Sequence, residues 1–384
     1  MLTSLRFNNY KSFGLEIDIP LRKVTIFIGK NNSGKTAAAR SLAVWSELTF
    51  GRTDVDSGFP LTARGMSIGS STGEIVHQGV AHGAFRLGFS ARTWSEETHI
   101  DFELQNFESL AKRSAGYFVD LTVSEIHKPE PKVSFGVESV KAAQAGNKRL
   151  WAVNEFGGQG LNVAEGSFRG LAYLAAVRPP IQPIYGVREM AAIVQVGDSA
   201  PYALHDDAEL LANVSAWYES ALGAPRLQID SEANAFLLRL GHANLASSGQ
   251  GLQQVLPVVT AIERFGSREE GGKLLVIEEP ELHLHPAAQG ALADLLARFL
   301  HSQSERQIVL ETHSENLLLG LRRLVAEGEI DHRDIGIVWF EPSETGTSIT
   351  PIDIRPDGSV SFWPVGVFSE NLEQVRAIAR ASRR

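Results

Sequence analysis

A chain of 384 residues, 43% hydrophobic and 21% charged, has the make-up of an ordinary globular protein, with length for two or three domains as a soft expectation. The formal net charge of −9 supplies no global basic field for nucleic acid, which leaves DNA only a local patch, and the absence of cysteine excludes disulfides and thiolate metal sites. The N-terminal MLTSLRFNNYKSF has no apolar signal core and no stretch approaches the roughly 18 apolar residues of a spanning helix, so the expectation is a cytoplasmic protein without a membrane span.

In chain order, residues 1–45 predict two strands, a glycine loop and a helix. KVTIFI (23–28) is a β-branched run that reads as a buried strand, and TAAARSLAVWSEL has the alanine and leucine content of a helix. Between them, Gly29 and Gly34 bracket Lys30, Asn31, Asn32 and Ser33 and are followed by Lys35 and Thr36, which satisfies G-x-x-x-x-G-K-[ST] at every fixed position. Glycines at those places let backbone N–H groups turn inward around a phosphate, and the helix N-terminus adds partial positive charge. Lys35 would reach the β- and γ-phosphates of ATP, and the Thr36 hydroxyl would ligate Mg²⁺.

From about Gly83 to Phe156 the pattern changes to GAFRLGFSA, THIDFELQ, YFVDLTVSEI and KVSFGVESV, short alternating segments that predict antiparallel β-structure. SFRGLAYLAAVRPP (167–180) returns to core-like sequence. His205 to Ala221 has helical periodicity with an acidic first turn. Residues 246–264 read as a Gly–Gln loop and a helix kinked or interrupted at Pro257. LLVI (274–277) and QIVL (307–310) predict buried strands on either side of the helix AAQGALADLLARFLH. AEGEID (326–331) reads as a helix end broken by glycine.

A P-loop needs an acidic partner at the end of another strand, and KLLVIEEPELHLHP supplies Glu278 and Glu279. The first would hold Mg²⁺ through its water shell, and the second would orient and deprotonate the attacking water. Aspartate is usual at the first position, so Glu278 departs from the pattern by one methylene.

Taken in order, FNNYKSF, GKNNSGKT, SSGQGLQQVLP, VIEEPELHLHP and LETHSENLL resemble the ABC-type ATPases, in the soluble branch with the SMC-like repair ATPases and the OLD-family (overcoming lysogenization defect) proteins. The GSVSFWPVGVF segment is similar to the tail of bacterial ATPases of that type. The resemblance is firm over 1–45 and 245–320 and loose over 85–240. It implies an α/β P-loop ATPase head with a mixed central sheet, a β-rich antiparallel insertion and a helical subdomain. Residues 1–82 would form the P-loop half and 83–166 the insertion. Residues 167–244 would form a connecting and helical region, 245–340 the half with signature loop, acids and histidine, and 341–384 a tail.

The resemblance also implies a composite site in which two heads sandwich nucleotide head-to-tail. Lys35, Thr36, Glu278 and Glu279 would then act in cis, with His313 as a switch histidine on the γ-phosphate. Ser247, Ser248, Gly249 and Gln250 would cap the nucleotide of the opposite subunit, with Ser248 where the family has glycine. His285 falls where a dimer-facing loop often has aspartate. Asn9, Lys11 and Ser12 match nucleotide-contacting positions, and Gln78 would add a Mg²⁺ contact. The implied partners are a second copy of the chain or a higher homo-oligomer, a separately encoded effector (nuclease or toxin) and, less directly, DNA. No Asp-x-Asp follows AEGEID and no heptad arm is present, so a head without the Toprim nuclease is expected. Three functions stay open: control of that effector in a DNA-related or antiphage system, a repair ATPase that clamps DNA itself, and a transporter's nucleotide-binding subunit, from which EEPELHLHP and the β insertion point away.

Overall fold

The runs VTIFIG, LLVIE and QIVLE are buried at every position because a layer covers each face of the sheet they form. In the computed structural model of the chain, β3 (Val24–Gly29), β9 (Ala172–Leu174), β14 (Leu274–Glu278), β15 (Gln307–Glu311), β16 (Ile335–Ser343) and β17 (Gly346–Ile352) make a six-stranded sheet of order β17-β16-β3-β15-β14-β9. All neighbours are parallel except the edge pair β16–β17. The structure describes residues 1–50, 59–79, 83–92, 97–109, 114–125, 158–186, 196–232, 234–267, 273–302, 305–364 and 380. The expected strand KVSFGVESV and most of the tail after 364 lie outside them.

Side chains alternate between the two faces, as strand geometry requires. Val24, Ile26, Ile28, Leu275, Ile277, Ile308 and Leu310 pack on one side with helices α3 (Val196–Asp206), α4 (Ala208–Leu222), α5 (Gln250–Ser267), α6 (Pro286–His301) and α7 (Glu315–Ala326). Phe27, Leu274, Val276, Val309, Val338 and Phe340 face the other way, onto α1 (Lys35–Phe50) and α2 (Gly158–Phe168).

Helix α1 is buried over most of its length because it is covered on both sides. Beyond it lies a second, antiparallel sheet of order β2-β1-β6-β7-β8, made of β1 (Leu2–Asn8), β2 (Ile17–Pro20), β6 (Ala84–Arg92), β7 (Glu97–Ser109) and β8 (Ser114–Glu125). The expected insertion therefore extends a sheet that the N-terminus begins, with Leu5 opposite Phe89 in the β1–β6 register. Trp45 of α1 joins the layers: its ring lies 4.8 Å edge-on from Phe89 and 6.3 Å stacked from Phe168. A small hairpin, β4 (Thr62–Ala63) with β5 (Met66–Ser67), lies between α1 and β6 in the chain.

Two expectations need correction. The 167–244 region holds a further antiparallel sheet as well as helices: β10 (Tyr185–Gly186), β11 (Leu227–Glu232) and β13 (Ala243–Asn244) flank or pair with β12 (Ala235–Leu240). Helix α5 runs uninterrupted through Pro257. An interior proline costs roughly 3 kcal/mol, and burial of Val255, Leu256, Val258, Val259 and Ile262 around it outweighs that loss. Near residue 205 the sequence breaks into two helices, because the Asp207 side chain caps α4 by accepting from the Leu210 N–H at 3.0 Å. Trp45→Ala should lower unfolding stability by about 3–5 kcal/mol in a urea titration. A loss under about 1 kcal/mol would show that the two sheets are not held through this ring.

Candidate nucleotide-binding site

At the end of β3 the chain turns sharply into α1, with Gly29 at φ 153°, Asn32 at 61° and Gly34 at 96°. A Cβ on Gly29 would lie 2.3 Å from the Phe340 carbonyl oxygen, and one on Gly34 would lie 2.4 Å from Ser12 Oγ. Both positions need glycine for conformation and for space. The turn is tied to the rest of the fold by the Thr347 hydroxyl, which donates to the Ser33 carbonyl at 3.0 Å.

The Lys35 ammonium points back into this loop and donates to the carbonyls of Gly29 at 3.0 Å and Lys30 at 2.8 Å. Only 3% of its side chain is exposed, and burial pushes its pKa down while Glu311 and Glu279 oppose the shift. Beside it, the Thr36 hydroxyl donates to Glu311 Oε1 at 2.8 Å, and the same oxygen lies 4.0 Å from Lys35 Nζ. Burial pushes Glu311 up to about 7 against the hydrogen bond from Thr36 and the charge of Lys35.

These groups open onto a cavity of about 560 Å³, within the ordinary range for a small-molecule pocket. Of the expected residues, Asn31, Asn32, Ser33, Gly34, Lys35 and Thr36 line it from the loop. Lys11, Ser12 and Gln78 line it from the antiparallel-sheet side, and Glu279 and His313 from the ends of β14 and β15. Gly29 and Lys30 shape the loop from behind. Asn9 turns away and donates to the Ala84 carbonyl at 2.5 Å.

Glu279 sits at φ 43°, a left-handed conformation rare outside glycine. Its N–H donates to the Glu311 carbonyl at 2.7 Å, while Arg178 Nη2 donates to the carbonyls of Glu278 at 2.7 Å and Glu279 at 2.9 Å. Glu279 Oε1 lies 3.9 Å from His313 Nε2. Burial and the nearby Lys35 charge lower the His313 pKa, which favours a neutral imidazole. The His313 backbone N–H donates to the buried Glu281 carboxylate at 2.6 Å.

Glu278, expected at the metal, is placed elsewhere. Its oxygens accept from Arg40 Nε at 2.8 Å, Arg40 Nη2 at 3.3 Å, the Tyr173 hydroxyl at 2.6 Å and the Ala176 N–H at 3.1 Å. Burial raises its pKa, and the bonds from Arg40 and Tyr173 more than offset this and hold the carboxyl below its usual value. The reason for the displacement is the arginine on α1, a residue that carries no motif. Glu311, Glu281, Arg178, Arg40 and Tyr173 were not singled out from the sequence. Only Glu311 carried a readable signal, an acid directly after the QIVL strand.

Ser247, Ser248, Gly249, Gln250 and His285 do not line this cavity. Asn244 caps the turn Leu245–Ser247, Ser248 Oγ donates to the Leu245 carbonyl at 2.7 Å, and Gln250 opens α5. Ser247, Gly249 and Gln250 are exposed, and an added Cβ on Gly249 would meet nothing within 4 Å. His285 is exposed and caps α6 through its Nδ1, which accepts from the Ala287 N–H at 3.4 Å. The two loops adjoin, because a Cβ on Gly251 would lie 2.6 Å from the His283 carbonyl oxygen.

Ser12 Oγ, Ser33 Oγ and Glu311 Oε2 are buried and have no hydrogen-bond partner among the described residues. Buried polar atoms of that kind are costly unless a ligand or water satisfies them. Hydroxyls and a lysine suit phosphate oxygens, and a hydroxyl with a carboxylate suits a hydrated Mg²⁺, so these residues fit a nucleotide with its metal. Among the described residues no cluster of three or more His, Asp or Glu could hold a metal alone.

Residues 234–318 match the family described as AAA ATPase domain. The matched segment contains the exposed 247–250 loop, Glu278, Glu279, Glu311 and His313, and the glycine loop lies outside it. The chain therefore carries a P-loop motif together with a segment that matches this ATPase family. No curated protein matches it. Among solved structures, the SMC head domain from Thermotoga maritima is 13% identical, covers 92% of this chain and 99% of its own, and gives a TM-score of 0.46. An Smc head bound to the C-terminal winged-helix domain of ScpA is 11% identical over 92% of this chain and 98% of its own, with a TM-score of 0.49. An Smc head with an extended coiled coil, bound to the C-terminal domain of ScpA derived from Pyrococcus furiosus, is 10% identical over 100% of both chains, with a TM-score of 0.46. Likeness at this level says nothing about activity or partners.

The Glu278 cluster is tested by stability. Arg40→Met leaves a buried carboxylate without its cation and should cost on the order of 3 kcal/mol. Adding Glu278→Gln should recover part of that loss. A single variant as stable as the wild type would show that the ion pair does not secure Glu278.

Proposed function

We propose that the chain binds ATP with Mg²⁺ in this cavity, hydrolyses it, and completes its site with a second copy of itself. The observation that carries the proposal is the Lys35 ammonium, held on two carbonyls of its own loop beside a Ser33 hydroxyl that has no partner among the described residues. A bound triphosphate would take the ammonium from those carbonyls. Magnesium bound with the nucleotide would draw charge from the phosphate oxygens, and Thr36 is the residue placed to hold it. The Glu279 carboxylate, kept at the cavity edge by Arg178, would accept the proton of the attacking water. His313 would donate a hydrogen bond to the terminal phosphate, with its backbone fixed by Glu281.

Support for a shared site comes from the Ser247–Gln250 turn, which is rigidly capped, exposed and away from its own cavity. Backbone N–H groups at the start of α5 are suited to a phosphate that approaches from outside. His285 and Gln78 would serve as a dimer-facing residue and a further metal-side contact. The resemblance to OLD-family and SMC-like ATPases supports the output: ATP-driven pairing that controls a separately encoded nuclease or toxin in a DNA-related or antiphage system.

Lys35→Ala should abolish the stabilisation by ATP, which for a ligand at about 100 times its Kd is about 2.7 kcal/mol. An unchanged ATP-induced melting shift would contradict the assignment. The shared site is tested by mixing Lys35→Ala with Ser247→Arg. Each alone should be inactive, and the mixture should regain part of the ATPase rate, because one of its two sites pairs an intact Lys35 with an intact Ser247. Mixed dimers that stay inactive would place the loop outside the reaction.

A further inference from the structure

We propose that Glu311, and not Glu278, is the carboxylate that sets Thr36 and the metal's water shell, and that Glu278 is a structural acid that anchors α1. This inference rests on the ATP reading above and assigns one role within it.

Strand order gives the first reason. β15 lies directly beside the P-loop strand β3, whereas β14 lies one strand further away. Glu278 and Glu311 are register partners on these parallel strands, and Glu311 is also paired with Phe27 of β3. Neighbouring strands are about 4.8 Å apart, so the carboxylate of Glu311 starts about that much closer to the loop. Both side chains emerge on the α1 face, two residues beyond Val309 and Val276, which pack on that face.

Helix α1 then distributes the two acids. Thr36 and Arg40 are four residues apart and share a helix face. Thr36 meets Glu311 and Arg40 meets Glu278, one turn deeper. Each contact excludes the other exchange. The Arg40 fork occupies both oxygens of Glu278, and Tyr173 and Ala176 fill further lone pairs, so all of its roughly four acceptor sites are engaged. Reaching the cavity would mean breaking a buried ion pair.

Glu311 has the opposite arrangement. Its Oε1 accepts from Thr36, and its Oε2 is buried with no partner among the described residues. A hydroxyl has one hydrogen and two lone pairs. With the Thr36 hydrogen committed to Glu311, both lone pairs are left for the cavity, where a cation would use them. The free Oε2 is then available to a water on that cation. A bland alternative is that Glu311 is only a counter-ion to Lys35, 4.0 Å away. A counter-ion alone would support the loop with or without metal, and that difference can be measured.

The experiment compares the Kd of a fluorescent ATP analogue in Mg²⁺ and in EDTA, for the wild type, Glu311→Gln and Glu278→Gln. Glutamine keeps an oxygen for the Thr36 hydroxyl, removes the charge and replaces the second oxygen with an NH2 donor. Loss of an outer-shell metal partner typically weakens metal binding 10–100-fold, so Glu311→Gln should shrink the EDTA-to-Mg²⁺ ratio of Kd values by a factor in that range or to unity. Glu278→Gln should keep the ratio within about twofold of wild type and act instead on melting temperature. Should Glu311→Gln not fold, Glu311→Asp, with the charge drawn back by one methylene, should still shrink the ratio measurably, while Glu278→Asp should not. A ratio unchanged at Glu311, or reduced at Glu278 as much as at Glu311, overturns the proposal. A wild-type protein that binds no nucleotide in either buffer would instead overturn the ATP reading itself.

Discussion

A lysine ammonium buried at the end of a sheet is the constraint on which this site depends. Lys35 is 3% exposed, and a charge so placed is costly unless oxygens surround it. Gly29 and Lys30 supply two carbonyls because the loop turns through positive φ at Gly29, Asn32 and Gly34. Glu311 supplies the nearest opposite charge from the neighbouring strand. The loop, the strand order and the acids are thus parts of one solution to a single electrostatic problem. The partners that satisfy the ammonium are also ones that a phosphate can replace.

The two-sided burial of the central sheet makes this arrangement rigid. One face packs on helices α3–α7 and the other on α1, with Trp45 joining α1 to Phe89 and Phe168. The C-terminal strand ends therefore have little freedom, and Glu279 is held at φ 43° by the Glu311 carbonyl and by Arg178. Arg178 also reaches α5, because its carbonyl accepts from Gln254 at 3.4 Å. Helix α5, which follows the exposed turn, and the acid at the cavity edge are thus both bonded to one arginine.

Much of this was legible in the sequence. The glycine loop, its flanking strand and helix, and the strands that bear Glu279 and precede His313 follow from motif and hydrophobic pattern. These features are local, and local rules read them. The role of Glu278 was not legible, because it depends on Arg40, which lies 238 positions away in the chain, and on Tyr173, 105 away. Sequence reasoning placed the metal's acid by its position after the strand. The side-chain partners that occupy the acid appear only when α1 is laid across β14. The shared sheet of β1, β2 and β6–β8 was missed for the same reason, since strand pairing between distant segments leaves no mark in either. Of a kink or an interruption at Pro257, the interruption does not occur, because burial on both sides of it outweighs one lost hydrogen bond.

The most direct test of the whole account is a structure of the protein with Mg²⁺ and a non-hydrolysable ATP analogue. The account predicts phosphate oxygens against Ser33, Gly34 and Lys35, with the Lys35 ammonium moved from the Gly29 and Lys30 carbonyls onto them. Nucleotide bound elsewhere, or bound in the cavity with Lys35 still seated on its own loop, would contradict it.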